Sequence, residues 1–264
     1  MPSGANERLG DAVAASVDAL TALLRGVENP KAPAIGHWSI RNLAVHLADV
    51  FETYPRYLDG TASLLGDPMD LTAHNEAIGE SDAPDDLSQL ADRIAAAGTV
   101  LAGALRGRPL DSPVMWHGRV DVPSGAIGGV AVTEAFVHGH DIAAAERRPW
   151  TITRRHVAVG LAEVAGLLPR YVNGETAANL TATFDLRIRG GDRVTLAFDN
   201  GRLITHRRPP YPRADCTISA DPGAFLLIGY RRIGQIKAAA TGKILPRGRK
   251  PWLALKLPTL IRQP

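Results

Sequence analysis

The 264-residue chain has a single cysteine, Cys216. No internal disulfide can form, and a reducing, cytoplasmic setting is expected. A lone cysteine inside the alternating run "ADCTISA" reads as a strand residue rather than a nucleophile. Long apolar runs are also missing. No window approaches the roughly 18 to 20 apolar residues of a membrane span, so none is expected. The opening "MPSGANERLGDAVAAS" lacks a basic head followed by an apolar block, so no secretion signal is expected. No basic stretch is interleaved with aromatics, which argues against a nucleic-acid groove. Internal repeats and low-complexity tracts are absent.

Hydrophobic residues make up 45 % and charged residues 22 %, a globular composition with material for a core. The net charge of +3 conceals a division. Residues 1–150 hold 11 Lys/Arg against 20 Asp/Glu, whereas residues 151–264 hold 19 against 7. Two units with different surfaces are expected.

The first half reads as helices. Leu9, Val13, Val17, Leu20 and Leu24 recur at three and four residues, and "NPKAP" ends the pattern. A second helix starts at Ser39 as N-cap and buries Ile40, Leu43, Leu47, Val50 and Phe51. Pro55 is expected to bend or end it. Residues 59–81 read as a long loop, followed by a third helix over 85–107 and a proline-punctuated loop over 109–123. A fourth helix begins near Gly125 and a fifth spans about 153–168, together suggesting an up-and-down bundle. The second half alternates in the manner of strands, with Asn200-Gly201 as a two-residue hairpin turn. Helical spacing returns at "DPGAFLLIGYRRIGQIKAAA", with Asp221 as N-cap and Pro222 at the first helical position. "GKILP" reads as a short strand and "PWLALKLPTLIRQ" as a terminal helix. The fold class is α+β.

The stretch "VTEAFVHGHDIAAA" places four ionisable residues among small and apolar ones. Glu134 and His138 are four apart, about 40° past a full helical turn, so both leave one face. A carboxylate and an imidazole suit a divalent transition metal, but a third ligand must come from elsewhere. His46 is the best donor, since it adjoins the buried stripe of the second helix and bundles build metal sites from facing helices. Each of these residues alone also fits a surface ion pair or a hydrogen-bonded core histidine. Asp141 is close enough to that face to orient a ligand. His140 lies about 200° from His138 and suits a substrate-side or structural role. His37, His74 and His117 fall in predicted loops and are expected to be solvent-exposed, while His156 and His206 read as structural.

"HWSIRNLAVHLADV" resembles the first signature of the mycothiol-dependent maleylpyruvate isomerase family, and "TEAFVHGHDIAAAERRPW" resembles its second. Asn75 falls where the family has an asparagine. "ADCTISADPGAFLLIGYRRIGQIKAAATGKILPRGRKPWLALKLPTLI" is similar to the family's sterol-carrier-like carboxy-terminal domain. The resemblance implies a DinB-like four-helix bundle over residues 1–172 and a smaller α+β sterol-carrier-like domain over 178–264. It implies a divalent metal, usually zinc, held by His46, Glu134 and His138. His140 stands where many relatives have tryptophan, which alters the pocket wall. It also implies mycothiol as thiol cofactor or co-substrate and a small electrophilic metabolite as its target. S-transfer, thiol exchange and cis–trans isomerisation of a maleylpyruvate-like substrate stay open. Arg231, Arg232, Arg247 and Arg249 are basic candidates for an anionic co-substrate. Competing readings are a non-catalytic lipid- or metabolite-binding protein with a structural metal, and a hydrolase using zinc-bound water.

Overall fold

The apolar stripe of Leu9, Val13, Val17, Leu20 and Leu24 is buried along α1 (Ser3–Arg25) of a computed structural model that describes residues 3–81, 86–207 and 213–262. The chain divides into two compact units, 1–152 and 153–264. The division falls ahead of the expected boundary at 172, because the fifth predicted helix packs within the second unit.

In the first unit α1 is joined by α2 (Ile40–Asp59), α3 (Leu71–Gly79), α4 (Leu87–Arg106) and α5 (Ser124–Ala145). Helices α1, α2, α4 and α5 form a four-helix bundle in which both α1 and α2 pack against both α4 and α5. Ser39 caps α2 through a capping box: its hydroxyl accepts from the Asn42 N–H, and the Asn42 side chain accepts from the Ser39 N–H. Asn42 Nδ2 also donates to the Gly79 carbonyl at 2.7 Å, tying the start of α2 to the end of α3. The stripe of α2 is buried as expected, apart from the half-buried Val50. Pro55 does not end α2. The helix runs one more turn, where Tyr57 and Leu58 are buried, to a left-handed Gly60. Helix α5 is buried nearly all round, from Ala126 to Ala143, as suits an element facing several neighbours. This is why its ionisable groups lie among small and apolar residues.

Three segments outside the predicted helices and strands contain structure. Residues 59–81 include α3, and two short hairpins form from β1 (Pro33–Ile35) with β2 (Trp38–Ser39) and from β3 (Pro113–Trp116) with β4 (Val120–Pro123).

The second unit opens with α6 (Arg154–Val164). Its sheet contains β5 (Ala182–Ile188), β6 (Arg193–Asp199), β7 (Arg202–His206), β8 (Cys216–Ala220) and β9 (Ile244–Arg247), in the order β7-β6-β5-β8-β9. Only the β5–β8 pair is parallel. The β6–β7 turn is made by Asn200 and Gly201, both at positive φ, as its sequence predicts. The long helical run expected over 221–240 is broken into α7 (Pro222–Gly229) and α8 (Gln235–Ala240), with Arg231 at φ 59° between them. The terminal helix is shorter than expected, α9 (Leu253–Lys256) followed by a 3-10 turn. Alanines of α6 and α8, Ile228 of α7 and Leu253 of α9 join Phe184, Leu196, Phe198 and Ile218 in one core. Among the described residues no helix is long and apolar enough to cross a membrane.

Candidate metal centre

His46 leaves α2 towards α5, and Glu134 and His138 leave α5 one turn apart. Glu134 Oε2 lies 3.1 Å from His138 Nε2 and 3.6 Å from His46 Nε2. One donor atom from each residue falls within 4.8 Å of the others. The two imidazoles meet edge to face at 5.6 Å, and Trp38 packs against His46 at 5.3 Å. His46 is buried, and its Nδ1 has no hydrogen-bond partner among the described residues. His138 is oriented from behind, with Nδ1 3.1 Å from Asp141 Oδ2. Gly139 permits this packing at the site's rear: the Trp150 indole lies where a Cβ at 139 would stand, and Trp150 Nε1 donates to the Phe136 carbonyl at 3.1 Å.

The electrostatics of the trio call for a cation. Burial alone would raise Glu134, but the charge of His138 and hydrogen bonds from both histidines hold its carboxyl far below the usual range. Burial alone would lower His138, yet Glu134 and Asp141 push it up to about 9. A buried carboxylate between two imidazoles stabilises one positive charge at this point, whether carried by a proton or by a metal ion. Two nitrogen donors and one oxygen donor suit zinc or a neighbouring transition metal. No fourth His, Cys, Asp or Glu joins the trio among the described residues.

The remaining candidates lie elsewhere. His140 is half-buried on α5. His37 is exposed and pairs with Glu76 at 3.0 Å and Glu80 at 3.5 Å. His74 belongs to α3, with its Nε2 3.9 Å from Asp49, and Asn75 lies on the same helix. His117 departs from expectation, since it is buried rather than exposed. Its Nδ1 accepts from the Leu65 N–H at 2.9 Å and its Nε2 lies 2.6 Å from the Tyr57 hydroxyl. In the second unit, Arg231 and Arg232 follow α7, Arg232 donates to the Tyr230 carbonyl, Arg247 ends β9, and Arg249 pairs with Asp215. The contact of Asn42 with Gly79 was not legible beforehand, because nothing marked residues 71–79 as a helix.

The model of the mycothiol maleylpyruvate isomerase N-terminal domain matches residues 7–143, and that of the SCP-2 sterol transfer family matches residues 167–260. A crystal structure of a histidine-to-alanine variant of the mycothiol-dependent maleylpyruvate isomerase is similar in fold. Its TM-score is 0.50 at 12 % identity, covering 86 % of this chain and 88 % of that one. The unsubstituted isomerase gives a TM-score of 0.49 at 14 % identity over the same shares. The inverting sec-alkylsulfatase Pisa1 from Pseudomonas sp. gives 0.34 at 15 % identity over 53 % of this chain. The chain spans only 24 % of that sulfatase. Comparison with curated protein sequences gives no match. With its first half matched from residue 7 to residue 143, the chain belongs to the mycothiol maleylpyruvate isomerase N-terminal domain family.

Proposed function

We propose that the chain is a metal-dependent enzyme that uses mycothiol as its thiol, with His46, Glu134 and His138 as the metal ligands. The observation that carries this reading is the meeting of those three side chains within 4.8 Å in a chain of this family. Three protein ligands suit an ion open to an outside donor, whereas a structural zinc is normally closed by four. When bound, such an ion holds a thiol as its thiolate at neutral pH.

The chain's own residues supply position and charge. With Asp141 Oδ2 accepting from its Nδ1–H, His138 presents the Nε2 lone pair to a metal. Trp38 packs against His46 and donates from Nε1 to Glu76 at 3.1 Å, so the ring is braced from α3. Cys216 is a poor source of the reacting sulfur, because it is buried and burial pushes its thiol up. The sulfur therefore comes from a small molecule. Its target is a small electrophilic metabolite, with S-transfer, thiol exchange or cis–trans isomerisation of a maleylpyruvate-like substrate as the outcome. In this reading His140 has a substrate-side or structural role, and Arg231, Arg232 and Arg247 are candidates for binding an anionic co-substrate.

The test is turnover of candidate electrophiles by zinc-loaded protein with and without mycothiol. Turnover that requires the thiol supports the proposal. Undiminished turnover without it supports hydrolysis by metal-bound water instead.

A further inference from the structure

Strand alternation gives the sheet of the second unit two unlike faces. On β5, Ala182, Phe184, Leu186 and Ile188 enter the core, so Thr183, Asp185 and Arg187 lie on the opposite side. The register extends that polar side across the sheet. Asp185 pairs with Thr195 on β6 and Thr217 on β8, and Arg187 pairs with Arg193. These residues line a concavity of about 340 Å³ together with Arg213 and Arg249.

The charges in it do not balance. Asp185 is 3 % exposed and accepts from Arg193 Nε and Nη2 at 3.0 and 2.7 Å and from Arg187 Nε at 2.8 Å. Asp215 accepts from Arg249 Nη2 at 2.6 Å. Four guanidinium groups and the Lys250 ammonium, 3.4 Å from Asp215, thus meet two carboxylates, and Arg213 has no carboxylate partner among the described residues. The bonds to Asp185 orient two forks without exhausting them. Both Nη groups of Arg187 and Nη1 of Arg193 have no protein acceptor among the described residues.

A second observation points the same way. Thr195 lines the concavity and is 1 % exposed, yet its hydroxyl has no hydrogen-bond partner among the described residues. Buried hydroxyls are nearly always paired, and an orphan on a residue that lines a cationic concavity suits completion by a ligand oxygen. Guanidinium forks match the planar geometry of carboxylates and the oxygens of phosphates.

We propose that this concavity binds a small organic dianion, its oxygens held by Arg187, Arg193 and Arg213 and by the hydroxyl of Thr195. The excess of positive charge favours a dianion over a monoanion, and the cavity volume admits a small metabolite. Dicarboxylates and phosphate monoesters share this chemistry. The site needs neither the metal nor mycothiol, so it stands or falls independently of the reaction proposed above.

Calorimetric titration of the full chain at fixed ionic strength tests it, with succinate, inorganic phosphate and acetate as probes. Saturable one-to-one binding of succinate or phosphate is expected, with acetate weaker by about tenfold or more. The tighter dianion identifies the source. Arg187→Gln and Arg213→Gln should each weaken binding about tenfold. Thr195→Val, which keeps the shape and removes the hydroxyl, should weaken it about fivefold while melting no earlier than the parent. His46→Ala should bind the dianion like the parent. Failure of both dianions to saturate, acetate binding as tightly, or undiminished binding by the folded arginine variants overturns the proposal.

Discussion

Asp141 Oδ2 lies 3.1 Å from His138 Nδ1, on the side of the imidazole away from Glu134. Three residues along one helix bring the two side chains together, and the contact fixes both ring orientation and tautomer. With His138 as a metal ligand, Asp141→Asn should lower metal affinity by roughly 10- to 100-fold with little effect on helix content. Competition with a zinc indicator checks this. Unchanged affinity would remove Asp141 from the site.

His46→Ala and His138→Ala should each abolish stoichiometric metal binding. The bundle should still fold, since its buried stripes are intact in both variants. Metal content by mass spectrometry, beside far-ultraviolet circular dichroism, separates loss of a ligand from loss of fold.

Gly139 faces the Trp150 indole, which occupies the space a Cβ would take. Gly139→Ala should destabilise the first unit by about 1 to 3 kcal/mol through overpacking, or displace Trp150 and its bond to Phe136. Thermal unfolding and tryptophan fluorescence report the two outcomes.

His117 carries a pH dependence. Burial, with a smaller contribution from the charge of His74, pushes its imidazole down to about 4. Protonation would also place an N–H of the ring against the Leu65 N–H that Nδ1 now accepts. Between about 4 and the ordinary histidine value near 6.5 the unfolded chain binds the proton and the folded chain does not. Stability from this residue is therefore complete above about 6.5 and falls as the pH drops to about 4, by on the order of 2 to 3 kcal/mol. Denaturant unfolding across this range should show that slope for the parent and a loss of it for His117→Gln.

The convergence of the trio was largely legible in the residues. The four-residue spacing of Glu134 and His138 fixes a common face, and His46 adjoins a stripe whose burial dictates its direction. Helix α3 was not legible, because none of its side chains forms a buried stripe; only Gly79 is buried. Of the two outcomes expected for Pro55, ending the helix does not occur, since burial of Tyr57 and Leu58 carries α2 past the hydrogen bond that proline cannot make. The break between α7 and α8 depends on one left-handed arginine, for which residue type gives no signal. His117 lies in a segment rich in proline and glycine, and its burial depends on Tyr57 of α2, which sequence spacing does not bring near.

The central claim is that His46, Glu134 and His138 hold an ion that accepts mycothiol sulfur. Calorimetric titration of mycothiol into zinc-loaded protein, repeated in buffers of different ionisation enthalpy, tests it most directly. The account predicts one-to-one binding with release of the thiol proton into the buffer, and neither in the zinc-free protein. Binding that is equally tight without zinc, or that releases no proton, would contradict it.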